Sequence, residues 1–192
     1  MNLKNSKEAI LNKALIIFGN LGFHKTTMAD IAEASKRGRR TIYTYFKNKE
    51  EVYEAVVERE IERVIEGLKN DLQSTENINE KFKNYINARM LAIINLTKNY
   101  DALRIAFLNN YKWVEKIRQK LDKEEKIILT QLLELGNTKQ ILTFVDLNTT
   151  VKNVMHTIKG IEYMLIKENN EENTIRQIEN LQNLLLNGLL TR

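Results

Sequence analysis

Residues 26–46 read TTMADIAEASKRGRRTIYTYF. Four cationic side chains stand close together in the middle of this stretch, shortly before two tyrosines. The four cations are Lys36, Arg37, Arg39 and Arg40. Neighbouring like charges repel one another, so such a cluster needs either open solvent or a polyanion. The residues on both sides of the cluster help to decide between these two possibilities.

The residues that flank the cations predict two short helices. Thr27 is followed three residues later by Asp30, a spacing that is typical of a capping box at the start of a helix. A second helix is predicted from about Arg39 to Phe46, where Ile42 and Phe46 are four residues apart and form its buried stripe. Two short helices joined by a tight turn are a helix-turn-helix.

The outward face of the second helix has the chemistry of a DNA contact. Arg40, Tyr43 and Thr44 are spaced so that they share one face, with Arg39 beside them. Arginine can donate two hydrogen bonds to a guanine or hold a phosphate, and tyrosine and threonine hydroxyls suit phosphate oxygens. The simpler alternative is an exposed basic turn on an ordinary helical bundle.

The charge distribution supports a nucleic-acid-binding head. Residues 1–49 hold ten Lys and Arg against three acidic residues, a net charge of +7, whereas the rest of the chain has a net charge of −2. A basic segment attached to a mildly acidic body is typical of a nucleic-acid module joined to a body with another task.

Composition predicts an all-α protein and argues against several function classes. The 192 residues contain no proline, no cysteine, seven glycines and 29% charged residues, which favours helices joined by short connections. Because His24 and His156 are the only imidazoles, we predict no metal and no cofactor. We find no nucleophile elbow, phosphate loop, metal-ligand spacing or pair of inward carboxylates, and therefore predict that the protein is not an enzyme. No apolar run approaches the ~18 residues of a membrane span, so we expect a soluble, cytoplasmic protein.

Helix boundaries can be predicted around the motif. Ser6 is expected to cap a first helix, which Gly22 ends. Asn48, followed three residues later by Glu51, is expected to open a long fourth helix. Apolar residues recur at helical spacing through the rest of the chain, with a loop predicted over residues 135–148. The expected fold is a three-helix head followed by a larger helical bundle.

Residues 9–53 resemble the DNA-binding domain of the TetR family of transcriptional regulators. The resemblance rests on Gly22 with Phe23, Thr26 with Thr27, Ile31 with Ala32, Thr41-Ile42-Tyr43, Tyr45 with Phe46, and Lys49. It implies a homodimer that reads a pseudo-palindromic operator in double-stranded DNA through a domain at residues 1–49. It also implies a helical domain at residues 50–192 that binds a small-molecule effector and dimerises through its last two long helices.

The predicted DNA-binding residues follow from the face of the second helix and from this resemblance. They are Lys25, Thr26, Thr27, Lys36, Arg37, Arg39, Arg40, Thr41, Tyr43, Thr44, Tyr45 and Lys49. Lys49 is expected to contact the DNA backbone from the start of the fourth helix, where the helix dipole also favours an anion.

The turn between the two short helices departs from the usual pattern of the family. In place of a small residue, glycine, an apolar residue and serine, this chain has Ser35, Lys36, Arg37 and Gly38. Glycine in that turn relieves a positive φ, which costs any other residue roughly 1 to 2 kcal/mol. Either Lys36 bears this strain, or the preceding helix runs further and Gly38 takes the left-handed position. We expect Arg37 to lay its stem over the core and direct its guanidinium toward phosphate.

Two further sets of residues are predicted in the body of the protein. Aromatic, methionine and histidine side chains that could line an effector pocket are Tyr85, Met90, Phe107, Tyr111, Trp113, Met155, His156 and Tyr163. The predicted dimer interface, where Gly160 would allow close approach, comprises Val154, Ile158, Ile161, Leu165, Ile178, Leu181, Leu185 and Leu189. The alternative for both sets is that they form the core of the monomer.

These observations predict a dimeric, sequence-specific DNA-binding transcriptional regulator, a repressor that a small-molecule inducer releases. A second possibility keeps the DNA binding without a small-molecule ligand. A third is a helical interaction or lipid-carrier protein whose basic head binds an acidic partner, although burial of Ile42 and Phe46 would leave the basic helix no apolar face for a bilayer.

Overall fold

The computed structural model describes residues 3–109 and 111–189, apart from the side chains of residues 3–5, 99, 101, 106, 111–114, 116, 117, 171 and 189. Every regular element in these ranges is an α-helix, so the all-α prediction is confirmed. The helices are α1 (Leu3–Lys25), α2 (Met28–Ala34), α3 (Arg39–Tyr45), α4 (Lys49–Gln73), α5 (Ile78–Asn99), α6 (Asp101–Asn109), α7 (Tyr111–Thr138), α8 (Leu147–Glu168) and α9 (Glu171–Leu189). None of these helices is both long and apolar enough to cross a membrane.

The described residues form two compact units. Unit 1 contains the chain up to Ile61 together with Leu96–Ile117, and unit 2 contains Glu62–Asn95 together with the chain from Arg118 onward. Helices α4, α5 and α7 therefore each contribute residues to both units. The functional division that we predict between residues 49 and 50 is distinct from this packing division, and it remains a prediction.

Unit 1 is built on an apolar core that joins α1, α2, α3 and the beginning of α4. The buried members are Ile10, Leu11, Ala14, Phe18, Ile31, Ala32, Ile42, Phe46, Val52, Tyr53 and Val56. The rings of Phe18 and Tyr53 meet edge to face, with centroids 4.9 Å apart. Because burying one large apolar side chain contributes about 1.5–3 kcal/mol, this core is sufficient to hold the short helices α2 and α3 in place.

The ends of the first two helices follow the predicted signals in part. Thr27 caps α2, since its hydroxyl accepts from the Asp30 amide at 3.2 Å and the Asp30 carboxylate accepts from the Thr27 amide at 2.8 Å. Hydrogen bonds from Thr27 lower the pKa of Asp30. Gly22 interrupts α1 at φ 79°, as predicted. The prediction that Ser6 caps α1 is wrong, because α1 is already helical at Leu3 and Ser6 is buried within it.

The later helix boundaries agree with the sequence only in part. The Glu51 amide donates to the side chain of Asn48 at 2.8 Å, so Asn48 caps α4 as predicted. The predicted loop is shorter than expected, because α7 continues to Thr138. Asp146 then caps α8 by accepting from the Thr149 amide at 2.7 Å.

Candidate functional sites

The outward face of α3 presents the predicted DNA-contacting side chains. Tyr43 is 54% exposed, whereas Ile42 beside it is fully buried. Arg39, Arg40, Thr41 and Thr44 are exposed, and Phe46 is buried at the end of the helix. The pattern divides α3 into a basic, hydroxyl-bearing surface and an apolar face that packs on the core.

The turn before α3 is a Schellman motif with lysine at the position where glycine is usual. The Arg37 amide donates to the Ala32 carbonyl and the Lys36 amide donates to the Glu33 carbonyl, both at 3.0 Å. Lys36 is left-handed at φ 51°, whereas Gly38 has φ −63° and ψ 145°. Of the two alternatives drawn from the sequence, the structure therefore has the one in which Lys36 bears the strain.

Arg37 occupies the residue of this motif whose side chain usually packs against the preceding helix. Its side chain is half-buried, and its Nε is enclosed without a hydrogen-bond partner among the described residues. Partial burial of Arg37 agrees with the expectation that its stem lies over the core. The predicted direction of its guanidinium toward phosphate remains a prediction.

The threonine pair before α2 serves the fold of the head. Thr26 is fully buried, and its hydroxyl donates to the Gly22 carbonyl at 2.8 Å. This burial is at odds with the predicted DNA contact of the Thr26 side chain. Thr27 and Lys25 are exposed, and Tyr45 is half-buried at the end of α3.

Lys49 is engaged within the protein. Its ammonium group donates to the carbonyl oxygens of Phe23, His24 and Thr26 at 2.9, 3.2 and 3.1 Å. It also lies 4.6 Å from the centre of the Phe23 ring, a cation–π contact. All three ammonium hydrogens are therefore used to join α4 to the end of α1 and to Thr26 just after it. Lys49 therefore has a positioning role within the protein, and its predicted contact with the DNA backbone stays a prediction.

Arg59 provides a second link between α4 and α1. Its Nη1 donates to the Asn12 amide oxygen at 2.9 Å and lies 3.3 Å from a Glu8 carboxylate oxygen. Its Nε and Nη2 donate to Glu60. Lys49 and Arg59 thus fasten the first eleven residues of α4 to α1. These residues and the predicted DNA-contacting face belong to one body, unit 1.

Unit 2 contains a buried charge cluster formed by Tyr85, Arg89, Arg118, Glu125 and Glu162. Arg89 donates through Nε to Glu125 Oε1 and through Nη1 to Glu162 Oε2, both at 2.6 Å. The Tyr85 hydroxyl donates to Glu125 Oε1 at 2.7 Å, and Arg118 donates to Glu162 Oε1. Arg89 and Glu162 are fully buried and Glu125 is 1% exposed. The cluster joins α5, α7 and α8.

Burial and pairing set the protonation of this cluster. Burial alone lowers the pKa of Arg89, but the carboxylates of Glu162 and Glu125 outweigh it, so the pKa lies above its ordinary value. Burial and the neighbouring Glu125 raise the pKa of the Tyr85 hydroxyl well above its ordinary value. Arg89 is therefore charged and Tyr85 neutral at physiological pH.

Sequence reasoning missed this cluster. The statement that the chain has no paired inward carboxylates is wrong, because Glu125 and Glu162 both accept from Arg89 inside unit 2. The signal was a charged residue within an apolar stripe. Glu162 is four residues after the buried Ile158, and Glu125 is four residues after the buried Leu121.

The predicted pocket residues are distributed among several environments. Tyr85, Met90 and Met155 are buried in unit 2, which is consistent with either pocket lining or core. Tyr163 and His156 lie on the exposed face of α8. Phe107 is half-buried in unit 1. The side chains of Tyr111 and Trp113 lie outside the described residues.

Most of the predicted interface residues face the interior of the chain. The buried ones are Val154, Ile158, Leu165, Ile178 and Leu181, none more than 3% exposed. Ile161 and Leu185 are half-buried, and the side chain of Leu189 lies outside the described residues. This burial agrees with the alternative of a monomer core, and the predicted dimer interface stays a prediction.

Comparison with known proteins agrees with the head and with the fold. Residues 10–56 match the family of bacterial regulatory proteins called the tetR family. The transcriptional regulator QacR of Staphylococcus aureus is 25% identical over 191 residues, covering 96% of this chain and 98% of that protein. The similarity to QacR therefore extends over nearly the whole chain.

Solved structures extend the comparison to the fold. A transcriptional regulator from Cytophaga hutchinsonii superposes with a TM-score of 0.81 at 23% identity, covering 96% of this chain and 98% of that one. The regulator FadR from Bacillus subtilis, in complex with stearoyl-CoA, gives a TM-score of 0.71 at 21% identity over 94% of this chain and 98% of that one. With a matching head, an exposed basic α3 and this fold, the chain is a transcriptional regulator whose residues 10–56 form the helix-turn-helix domain of the tetR family.

Proposed function

We propose that this regulator is a homodimeric repressor that binds a pseudo-palindromic operator and is released by a small-molecule effector. The single observation that carries the DNA-binding part is the division of α3 into an exposed basic face and a buried apolar face. Recognition through the major groove requires such a face, with side chains free to reach base edges. The protein acts on chromosomal DNA in the cytoplasm and performs no catalysis.

The residues of the head divide into contact residues and positioning residues. Arg39, Arg40, Tyr43 and Thr44 are the proposed contacts on α3, because they are exposed on its outward face. Lys36 and Lys25 add exposed charge for phosphates. Thr26 and Lys49 position the head from within and make no proposed contact through their side chains.

Dimerisation is proposed through the outward faces of α8 and α9. On α8 this face carries Tyr163 and Met164, which are 43% and 49% exposed, next to Gly160. On α9 it carries Leu184, which is 69% exposed, and Gly188. A Cβ on either glycine would meet no described atom within 4 Å, so a second copy could approach closely at both positions. Two half-sites about 34 Å apart require such a dimer.

Helix α4 is the proposed route by which an effector acts on the head. It contributes residues to both units, and Lys49 and Arg59 fasten its first part to α1. An effector that binds unit 2 more tightly in one conformation shifts the population toward that conformation. FadR from Bacillus subtilis, with its bound stearoyl-CoA, supports the general idea of a small-molecule ligand for this fold.

Fluorescence anisotropy of labelled DNA tests the DNA-binding part. The purified protein is titrated into DNA from upstream of its own gene and into shuffled DNA of equal length, at two salt concentrations. We expect a preference for the upstream DNA that persists at the higher salt, because base contacts add to the salt-dependent phosphate contacts. Arg40→Ala should reduce the preference if Arg40 reads a base, at a cost of about 1–3 kcal/mol. Equal losses on both DNAs would exclude base reading by Arg40.

Sedimentation velocity tests the dimer. Met164→Glu places a charge on the proposed interface and should shift the protein toward monomer, whereas Glu172→Gln, an exposed change on α9, should not. An unchanged dimer in Met164→Glu would place the interface elsewhere.

A further inference from the structure

Two members of the charge cluster, Arg89 and Glu125, are almost completely buried but incompletely hydrogen-bonded. Among the residues that the structure describes, Arg89 Nη2 and Glu125 Oε2 have no hydrogen-bond partner. Both side chains are at most 1% exposed. Leaving charged atoms buried and unpaired is strongly unfavourable, and folded proteins keep few of them. Such atoms are normally satisfied by a buried water or by a ligand.

The two unpaired atoms belong to groups that are already bonded to each other. Arg89 Nε donates to Glu125 Oε1 at 2.6 Å, and the unpaired atoms are the neighbouring nitrogen and oxygen of the same guanidinium and carboxylate. One of them is a donor and the other is an acceptor. A single small polar group can satisfy both, if it accepts a hydrogen bond from Nη2 and donates one to Oε2.

The charges of the cluster cancel. Arg89 and Arg118 are balanced by Glu125 and Glu162. A nearby pair, Lys159 with Asp122 at 2.6 Å, also adds no net charge. A charged ligand would remain buried without a counterion or would have to expel one of these groups, and either is unfavourable. The electrostatics therefore favour a ligand without net charge.

The surroundings of the cluster are apolar. Leu121 and Leu129 are four residues before and after Glu125 on α7, and both are buried. Ile158 and Ile166 are four residues before and after Glu162 on α8, and both are also buried. Residues four apart share a helix face, so a ligand that reaches the cluster would place its body among aliphatic side chains.

We propose that the charge cluster recognises the effector, and that the effector is an electrically neutral amphiphile whose polar group is both a donor and an acceptor, such as a primary amide. This proposal rests on the function proposed above and specifies its ligand class. The amide oxygen accepts from Arg89 Nη2, the amide nitrogen donates to Glu125 Oε2, and the four charged groups keep their existing pairs.

Three ligands of equal chain length test this proposal on the full-length protein. Octanamide, octanoate and octylammonium are titrated at neutral pH by isothermal calorimetry. We expect saturable binding of octanamide that is at least about tenfold tighter than that of either ion, a clear difference in a calorimetric Kd. No saturable binding of octanamide, or equal or tighter binding of an ion, would overturn the proposal. This comparison needs only the wild-type protein.

A charge change within the cluster adds a readout that a purely structural role would not give. Glu125→Gln leaves the cluster with a net positive charge, so the preference should move toward octanoate. The matched control is Glu124→Gln, since the Glu124 carboxylate accepts from Lys69 and is partly exposed; its order of preference should match wild type. If Glu125→Gln folds and weakens all three ligands without changing their order, the recognition role is refuted.

Operator binding separates this proposal from the regulator function. Anisotropy without any ligand reports DNA recognition alone. A protein that prefers its upstream DNA but does not bind octanamide retains the DNA-binding function and refutes the effector site. A protein that binds octanamide with the expected preference, yet does not prefer its upstream DNA, supports the ligand site and refutes an operator upstream of its own gene.

Discussion

Replacing Lys36 with glycine is expected to stabilise the head by about 0.5–1 kcal/mol. Lys36 lies at φ 51°, in the left-handed region. A residue with a Cβ pays roughly 1 to 2 kcal/mol there, and glycine does not. Glycine loses more conformational entropy on folding, which offsets roughly 0.5–1 kcal/mol of that gain. The difference between these two effects gives the expected net stabilisation.

Two matched variants separate backbone strain from charge. Lys36→Ala removes the ammonium group but keeps the Cβ, so it should leave the strain in place. Gly38→Ala should change the stability by no more than about 0.5 kcal/mol, because the loss of unfolded-state entropy opposes the weaker capping by alanine. At φ −63° a Cβ on Gly38 is unstrained, and its nearest neighbour would be Thr41 Oγ1 at 3.9 Å.

Urea unfolding of the full chain, followed by circular dichroism, measures these differences. The reasoning is refuted if Lys36→Gly is no more stable than Lys36→Ala. It is also refuted if Gly38→Ala loses more than about 1 kcal/mol, since that would place the left-handed residue at Gly38. In anisotropy, both Lys36 variants should weaken operator and random DNA equally if Lys36 contacts only phosphates.

Three other predictions concern positioning, pH and the cluster. Lys49→Met should destabilise unit 1 by about 1–2 kcal/mol in urea unfolding, because its hydrogen bonds are lost. The dependence of DNA affinity on salt concentration should stay unchanged, and a logarithmic slope reduced by about one would indicate a phosphate contact. The hydrogen bonds from Thr149 lower the pKa of Asp146 below its ordinary value of 3.8. The Asp146 carboxylate therefore stabilises the folded protein fully above pH 3.8, and this stabilisation is lost as the pH falls through the lower pKa of the folded state. Asp146→Asn should lack this acid-dependent loss in urea titrations. Glu162→Gln should destabilise the protein by about 3–5 kcal/mol, because it leaves buried guanidinium groups underpaired, whereas the exposed change Glu172→Gln should have little effect in the same assay.

The head was largely predictable because its signals are local. The spacing of Ile42 and Phe46 fixed the buried face of α3, and the pair Thr27 and Asp30 fixed the start of α2. Both patterns depend on residues within one helical turn. The internal bonds of Lys49 were not predicted, because its partners are 23 to 26 residues earlier in the chain. A lysine beside a basic motif gives no sequence signal for a bond to distant carbonyls.

The body was less predictable because periodicity alone does not say what a helix face contacts. The stripe through Ile158 and Leu165 has the same spacing whether it packs on α9 or on a second copy. The exposed apolar side chains on the other face, such as Met164 and Leu184, lie among polar residues and form no clear apolar stripe. Glu162 was overlooked for a related reason, since a charged residue within an apolar stripe is usually assigned to the surface.

The meeting of α1 and α6 inside unit 1 depends on an absent side chain. The ring of Tyr100 occupies the space that a Cβ on Gly19 would need, and α6 packs against α1 at this place. Even a methyl group at position 19 would have to displace the tyrosine ring. A small side chain at position 19 is therefore expected to make the protein temperature-sensitive, because it would loosen the packing of α6 on α1. None of the proposed DNA-contacting residues would be changed.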